Sequence, residues 1–233
     1  MALIRKAQLL KLFVMLLAIA TLSACATVQE YWADDNKVAL SPKTYTVSKG
    51  DTLYSIAWLY ELDYRQLAQW NDIEAPNYLI YPGQQLRLDA PASAVKLEPE
   101  VKQTATKALP LSKWHWPLNK PKVKALPRSN ALLMKGKPSE AVRATATGIV
   151  VYSGFNLKHY QGLIIIKHDD DIFSVYGNNE ELLVVEREQV AVGQEIARLP
   201  TTQDEANLYF EIKHRNKSLK AVNYLPDLKI STR

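Results

Sequence analysis

Only one cysteine, Cys25, occurs in the 233 residues, so no disulfide can close within the chain and a disulfide-stapled fold is excluded. Glycine is scarce, with 8 residues against 12 prolines, and 47% of the chain is hydrophobic; a collagenous or disordered chain does not have these proportions. No apolar stretch approaches the roughly 20 residues that a helix needs to cross a bilayer. The run Leu12 to Leu22 falls well short of that. Acidic residues are missing from residues 1–24, which carry +3, and are sparse in residues 91–137, which carry +8. Residues 25–90 and 138–233 carry −4 and −2, so the net +5 and the pI of about 9.1 come from two short stretches and not from a basic folded surface. A nucleic-acid partner is therefore not implied. The length allows one or two domains.

Arg5, Lys6 and Lys11 precede the apolar run, an arrangement that reads as a signal peptide over residues 1–24. The run ends in Leu22-Ser23-Ala24-Cys25, which resembles a bacterial lipobox. That resemblance implies lipid attachment at Cys25 and a membrane anchor, since each buried acyl methylene contributes about 0.8 kcal/mol and several chains hold firmly. Ala26 in place of Asp resembles the signal for sorting to the outer membrane, on its periplasmic face. Residues 25–42 read as a tether.

Residues 43–89 form a first module. Tyr45 to Val47 alternates as a strand, Lys49-Gly50 turns, and Asp51 is positioned to cap a helix whose Leu53, Ile56, Ala57 and Tyr60 share one face. Asp63, with Gln66 three positions on, starts a second helix, and Pro82-Gly83 leads into a return strand with Leu86 and Leu88. This small βααβ unit, with Tyr45-x-Val47-x-x-Gly50-Asp51-Thr52-Leu53 and Tyr81-Pro82-Gly83-Gln84-x-Leu86, resembles the LysM module. The resemblance implies peptidoglycan binding between two loops, at Gly50, Asp51, Thr52 and Leu53 on one side and Asn77, Tyr78, Leu79 and Ile80 on the other. Leu53, Leu79 and Ile80 read equally well as core of so small a module. Trp58 and Trp70 read as packing partly against the helices, with stacking on sugars as the alternative. Residues 90–113, rich in Ala, Pro, Thr and Lys, read as a flexible basic linker.

Residues 114–228 read as a mostly antiparallel β domain. Strands are expected over 149–153, over Gly162 to His168, over Ile172 to Tyr176, within Val190 to Leu199 and over Leu208 to Ile212, and the run Asp169-Asp170-Asp171 reads as a solvated hairpin tip. Trp116-Pro117, Ala144-x-Ala146-x-Gly148-x-Val150-Val151-Tyr152-x-Gly154, Ile164 to His168, Val192-Gly193-Gln194, Phe210-Glu211-Ile212 and Asn223-Tyr224-Leu225-Pro226 resemble the LytM or lysostaphin-type peptidase domain, of duplicated hybrid motif type.

That family carries zinc on His-x-x-x-Asp and His-x-His, with a Tyr-x-His assisting. The i, i+2 spacing puts two imidazoles on one face of a strand. Here the matching positions are Ser129 and Leu133, Asn207 and Tyr209, and Tyr176 and Asn178. Leucine has no lone pair to donate, and Ser and Asn compete poorly with water for Zn²⁺. The domain is thus expected to have no catalytic residue, no bound metal and no cofactor. The four histidines, His115, His159, His168 and His214, do not restore the spacing, and His168 reads as structural.

A lipoprotein joining LysM to a degenerate LytM-like domain resembles the NlpD-type activators of periplasmic N-acetylmuramoyl-L-alanine amidases. The resemblance implies peptidoglycan and amidase partners, a role in cell division, and a partner surface formed by Ser129, Leu133, Tyr176, Asn178, Asn207 and Tyr209. The alternative is a non-enzymatic lipoprotein that tethers peptidoglycan or scaffolds an envelope assembly.

Overall fold

The computed structural model describes residues 42–90, 114–126, 129–157, 160–201 and 206–227. The signal peptide, Cys25, the tether up to residue 41 and nearly all of the linker lie outside them. In the first module, β1 (Thr44–Thr46) pairs antiparallel with β2 (Gln85–Arg87), and α1 (Leu53–Leu59) and α2 (Tyr64–Trp70) lie between them in sequence. Leu53, Ile56, Ala57, Leu67 and Leu86 are buried and form its interior. Each helix has a side-chain cap, but the first cap is not Asp51. Thr52 Oγ1 accepts from Ser55 N–H (3.1 Å), while the Asp51 carboxylate takes Ser48 N–H and the Tyr45 hydroxyl, both at 2.7 Å. Asp63 caps α2 by accepting from the Arg65 and Gln66 amides.

The second module is built of antiparallel pairs. Its main sheet contains β3 (Lys122–Ala125), β4 (Leu132–Gly136), β6 (Gly148–Gly154), β7 (Leu163–Lys167), β8 (Ile172–Gly177), β10 (Gln189–Val190), β12 (Ala206–His214) and β13 (Lys217–Leu219). The strand order is β10-β6-β7-β8-β12-β4-β3, with β13 also on β12. A smaller sheet, β5-β11-β9, joins β5 (Ala141–Arg143), β9 (Glu181–Leu182) and β11 (Glu195–Arg198). The strand expected within Val190 to Leu199 is broken into β10 and β11 by a turn with Gly193 at φ +77°.

Strand alternation sorts the long strands into two faces. Ala206, Leu208, Phe210 and Ile212 of β12, Ile164 and Ile166 of β7, and Ile172 and Tyr176 of β8 enter the main core. Val142 and Ile196 of the smaller sheet, with Trp114, join them there. A polar thread crosses this core: His168 lies between the Thr147 carbonyl and the Ser174 hydroxyl, and Ser174 and Thr145 both meet the Tyr176 hydroxyl. Among the described residues, those from Pro42 onward form one compact unit, and the two modules touch.

Candidate functional site

The outer face of β12 presents Asn207, Tyr209, Glu211 and Lys213, the residues that alternate with the core row. Register fixes their neighbours. Tyr209 lies opposite Leu133 on β4 and Gly177 on β8, and Asn207 lies opposite Lys135. Asn178, just past β8 with φ +69°, a conformation that Asn tolerates, donates its amide N–H to the Asn207 carbonyl. Leu133, Asn178, Asn207 and Tyr209 therefore come together. Ser129 does not belong to β4; it sits in the turn ahead of it, where its Oγ accepts from Ala131 N–H. Tyr176 is a correction: it lies on the opposite face, fully buried, with its hydroxyl held by Thr145 and Ser174, so it is core and not groove wall.

These residues do not fit a zinc ion. The Asn178 amide is turned to a carbonyl, and the Tyr209 hydroxyl donates to Glu211 Oε2 (3.0 Å). Burial, with the Glu211 charge next, holds the Tyr209 hydroxyl pKa far above its ordinary value, so it stays a neutral donor.

Tyr209 is only 7% exposed because a second aromatic covers it. The Tyr160 ring lies 5.2 Å from that of Tyr209, and Gly177 leaves the room, since a Cβ there would come within 3.1 Å of Tyr160. Tyr160 in turn meets Trp58 of α1 at 4.5 Å, and Lys213 Nζ lies 5.8 Å from the Trp58 ring. The indole expected to pack on its own module's helices thus reaches the β domain. Tyr54, Trp58, Leu62 and Tyr64 lie against Ile165, Phe173 and Lys213 on the outer sheet face.

Asp171 closes this contact. The expected solvated hairpin tip is instead a turn, Asp169–Asp171, in which Asp171 is buried. Its carboxylate accepts from the Tyr64 hydroxyl (2.9 Å) and Arg65 Nη2 (2.8 and 3.0 Å), with Lys167 and Arg215 each 3.7 Å away. Arg215 also lies 3.9 Å from Asp63. Burial and the bond to Asp171 push the Tyr64 hydroxyl pKa up, and burial pushes that of Tyr54 up to about 12. None of Asp171, Arg65 and Tyr160 carried a local sequence signal.

In the first module the expected glycan loops divide. Asp51 and Thr52 spend their side chains on the fold, and Leu53 is core, so that loop offers backbone groups. Across from it Asn77 is exposed, Leu79 is 48% exposed and Ile80 half-buried, while Tyr78 packs on Tyr54 and Tyr64. Tyr81, 65% exposed beside Leu79 and Ile80, is an aromatic platform that the motif pattern alone did not single out.

Residues 45–89 match the LysM domain model, and residues 128–221 match the model of peptidase family M23. The chain is 33% identical to the murein hydrolase activator NlpD of Escherichia coli, over 82% of this chain and 69% of that one. It is 34% identical to the lipoprotein NlpD/LppB homolog of Pseudomonas aeruginosa, over 78% and 76%. With the outer membrane antigenic lipoprotein B of Haemophilus influenzae the identity is 26%, over 82% and 66%.

Proposed function

The chain belongs to the NlpD family of murein hydrolase activators, and on that premise we propose that it binds peptidoglycan through LysM and activates a cell-wall N-acetylmuramoyl-L-alanine amidase. Its LytM-like domain acts without catalysis of its own. The protein is held by lipid on Cys25 at the periplasmic face of the outer membrane and serves cell separation. The observation that carries this reading is the outer face around Tyr209, where Leu133, Asn178 and Asn207 offer neither imidazole nor carboxylate to a metal. Such a face can still recognise a partner. To shift an amidase a hundredfold toward its open form, the domain must bind that form more tightly by about 3 kcal/mol.

A second reading, a peptidoglycan tether or envelope scaffold without an amidase, is favoured by the covering of Tyr209 by Tyr160, which Trp58 meets in turn. Turnover of dye-labelled sacculi by each purified amidase of the host, with and without the chain, separates the two. Acceleration of one amidase supports activation; unchanged turnover with all of them leaves the tether.

A further inference from the structure

The outer sheet face that runs from Tyr209 past Glu211 to Lys213 is occupied, at its Ile165–Phe173–Lys213 end, by the chain's own LysM module. We propose that this face is an exchangeable interaction surface, with LysM as its resident occupant, and that glycan binding at the Lys49–Leu53 loop releases the module. The inference rests on the reading of LysM as a glycan binder.

Four features favour release over a permanent interior. The docking residues Tyr54, Trp58 and Arg65 lie outside the set that builds the module's own interior, Leu53, Ile56, Leu67 and Leu86, while Tyr64 serves both. The fit is loose as well: a gap of about 20 Å³, room enough for a water, lies between the modules beside Trp58. Asp171 keeps Lys167 and Arg215 from its own domain when Tyr64 and Arg65 depart, so opening leaves no carboxylate without a countercharge. Arg65, half exposed already, is readily rehydrated. Finally, residues 91–113 would span about 75 Å if extended, which lets the module leave while remaining attached.

The coupling to glycan comes from Asn156, in the loop after β6. Its side-chain amide donates to the Lys49 carbonyl (3.1 Å) and fills the space over Gly50, where a side chain would collide with it. Tyr78, on the opposite wall, packs on Tyr54 and Tyr64, which themselves meet Phe173. Docking therefore touches both glycan loops, and a sugar that takes the backbone groups of the first must displace Asn156. When only the released module binds, the apparent dissociation constant is the intrinsic one divided by the released fraction.

The test uses the full chain, the N-acetylglucosamine tetramer as probe, and the variants Asp171→Asn and Arg65→Ala. Asn tolerates the φ of +56° at position 171, and Arg65 lies at the module surface. Hydroxyl-radical oxidation of Trp58 and Phe173 reads docking, and calorimetry reads binding. The expected result is that the tetramer increases oxidation of both residues in the wild type, that each variant increases it without sugar, and that each binds the tetramer at least fivefold more tightly. Oxidation that rises in the variants while affinity stays unchanged overturns the coupling, as does a tetramer that protects Phe173. Oxidation unchanged in both variants overturns the clasp. A tetramer that binds no form of the chain overturns the glycan reading instead.

Discussion

Acidification should weaken the β domain through His168. The ring is buried, with Nδ1 2.8 Å from the Thr147 carbonyl, Nε2 2.7 Å from Ser174 Oγ and Trp114 packed edge-on at 5.1 Å. The Thr147 carbonyl can only accept, so in the neutral ring the proton sits on Nδ1 and is donated to it. Burial, opposed by the Thr147 carbonyl and by Asp169, lowers the pKa from 6.5 to about 4. The folded value lies below the unfolded one, so as pH falls the unfolded chain takes up the proton first. The stability tied to the neutral ring is complete above pH 6.5 and is lost progressively between 6.5 and 4. Between pH 7.5 and pH 5 that loss is about 2 kcal/mol, out of roughly 3 kcal/mol at full protonation. Urea unfolding of the wild type and of His168→Gln at both pH values isolates it, because the remaining titrations are common to both proteins. The variant should start about 1 to 2 kcal/mol less stable, from imperfect replacement of two buried hydrogen bonds. It should then lose about 2 kcal/mol less than the wild type on acidification. Equal losses in the two proteins would show that the ring is not held neutral by burial.

Two further outcomes follow from committed side chains. Thr52→Ala should cost the LysM module about 1 kcal/mol, the usual loss of an N-cap, yet leave affinity for the N-acetylglucosamine tetramer within twofold, since the hydroxyl is already bonded to Ser55 N–H; a tenfold loss of affinity at full folding would place the hydroxyl on the sugar. Zinc at 100 μM should leave the unfolding midpoint unchanged, whereas a site with a micromolar dissociation constant would add about 2.7 kcal/mol.

The LysM module was legible because its signals are local. Gly50 at φ +87°, the paired cap candidates and the turn at Pro82-Gly83 lie within a few residues of the elements they shape. One slip, Asp51 for Thr52 as cap, arose because Tyr45 and Ser48, just upstream, claim the Asp51 carboxylate. Farther along, β3 and β4 escaped the reading, since Lys122, Lys124 and Lys135 interrupt the apolar pattern and the strands owe their register to pairing that runs through β12. Asp171 was illegible for a stronger reason. Its partner Arg65 is 106 residues away, and three successive aspartates ordinarily mark a solvated turn.

The alternation along β12 shows how an outer face can vary on an intact fold. Along β12 the inward row, Ala206, Leu208, Phe210 and Ile212, is buried in the main core, and its identity is constrained by close packing. The outward row has no such duty, so the i, i+2 spacing that would hold two imidazoles can carry Asn207 and Tyr209 without disturbing the sheet. Two more steps along the same row reach Glu211 and then Lys213, which lies over Trp58 of LysM. One strand face thus joins Asn207 and Tyr209 to the docked module. Substitution of Tyr209 or Lys213 acts on the outer face that leads to LysM, whereas substitution of Phe210, one residue away, acts on the fold.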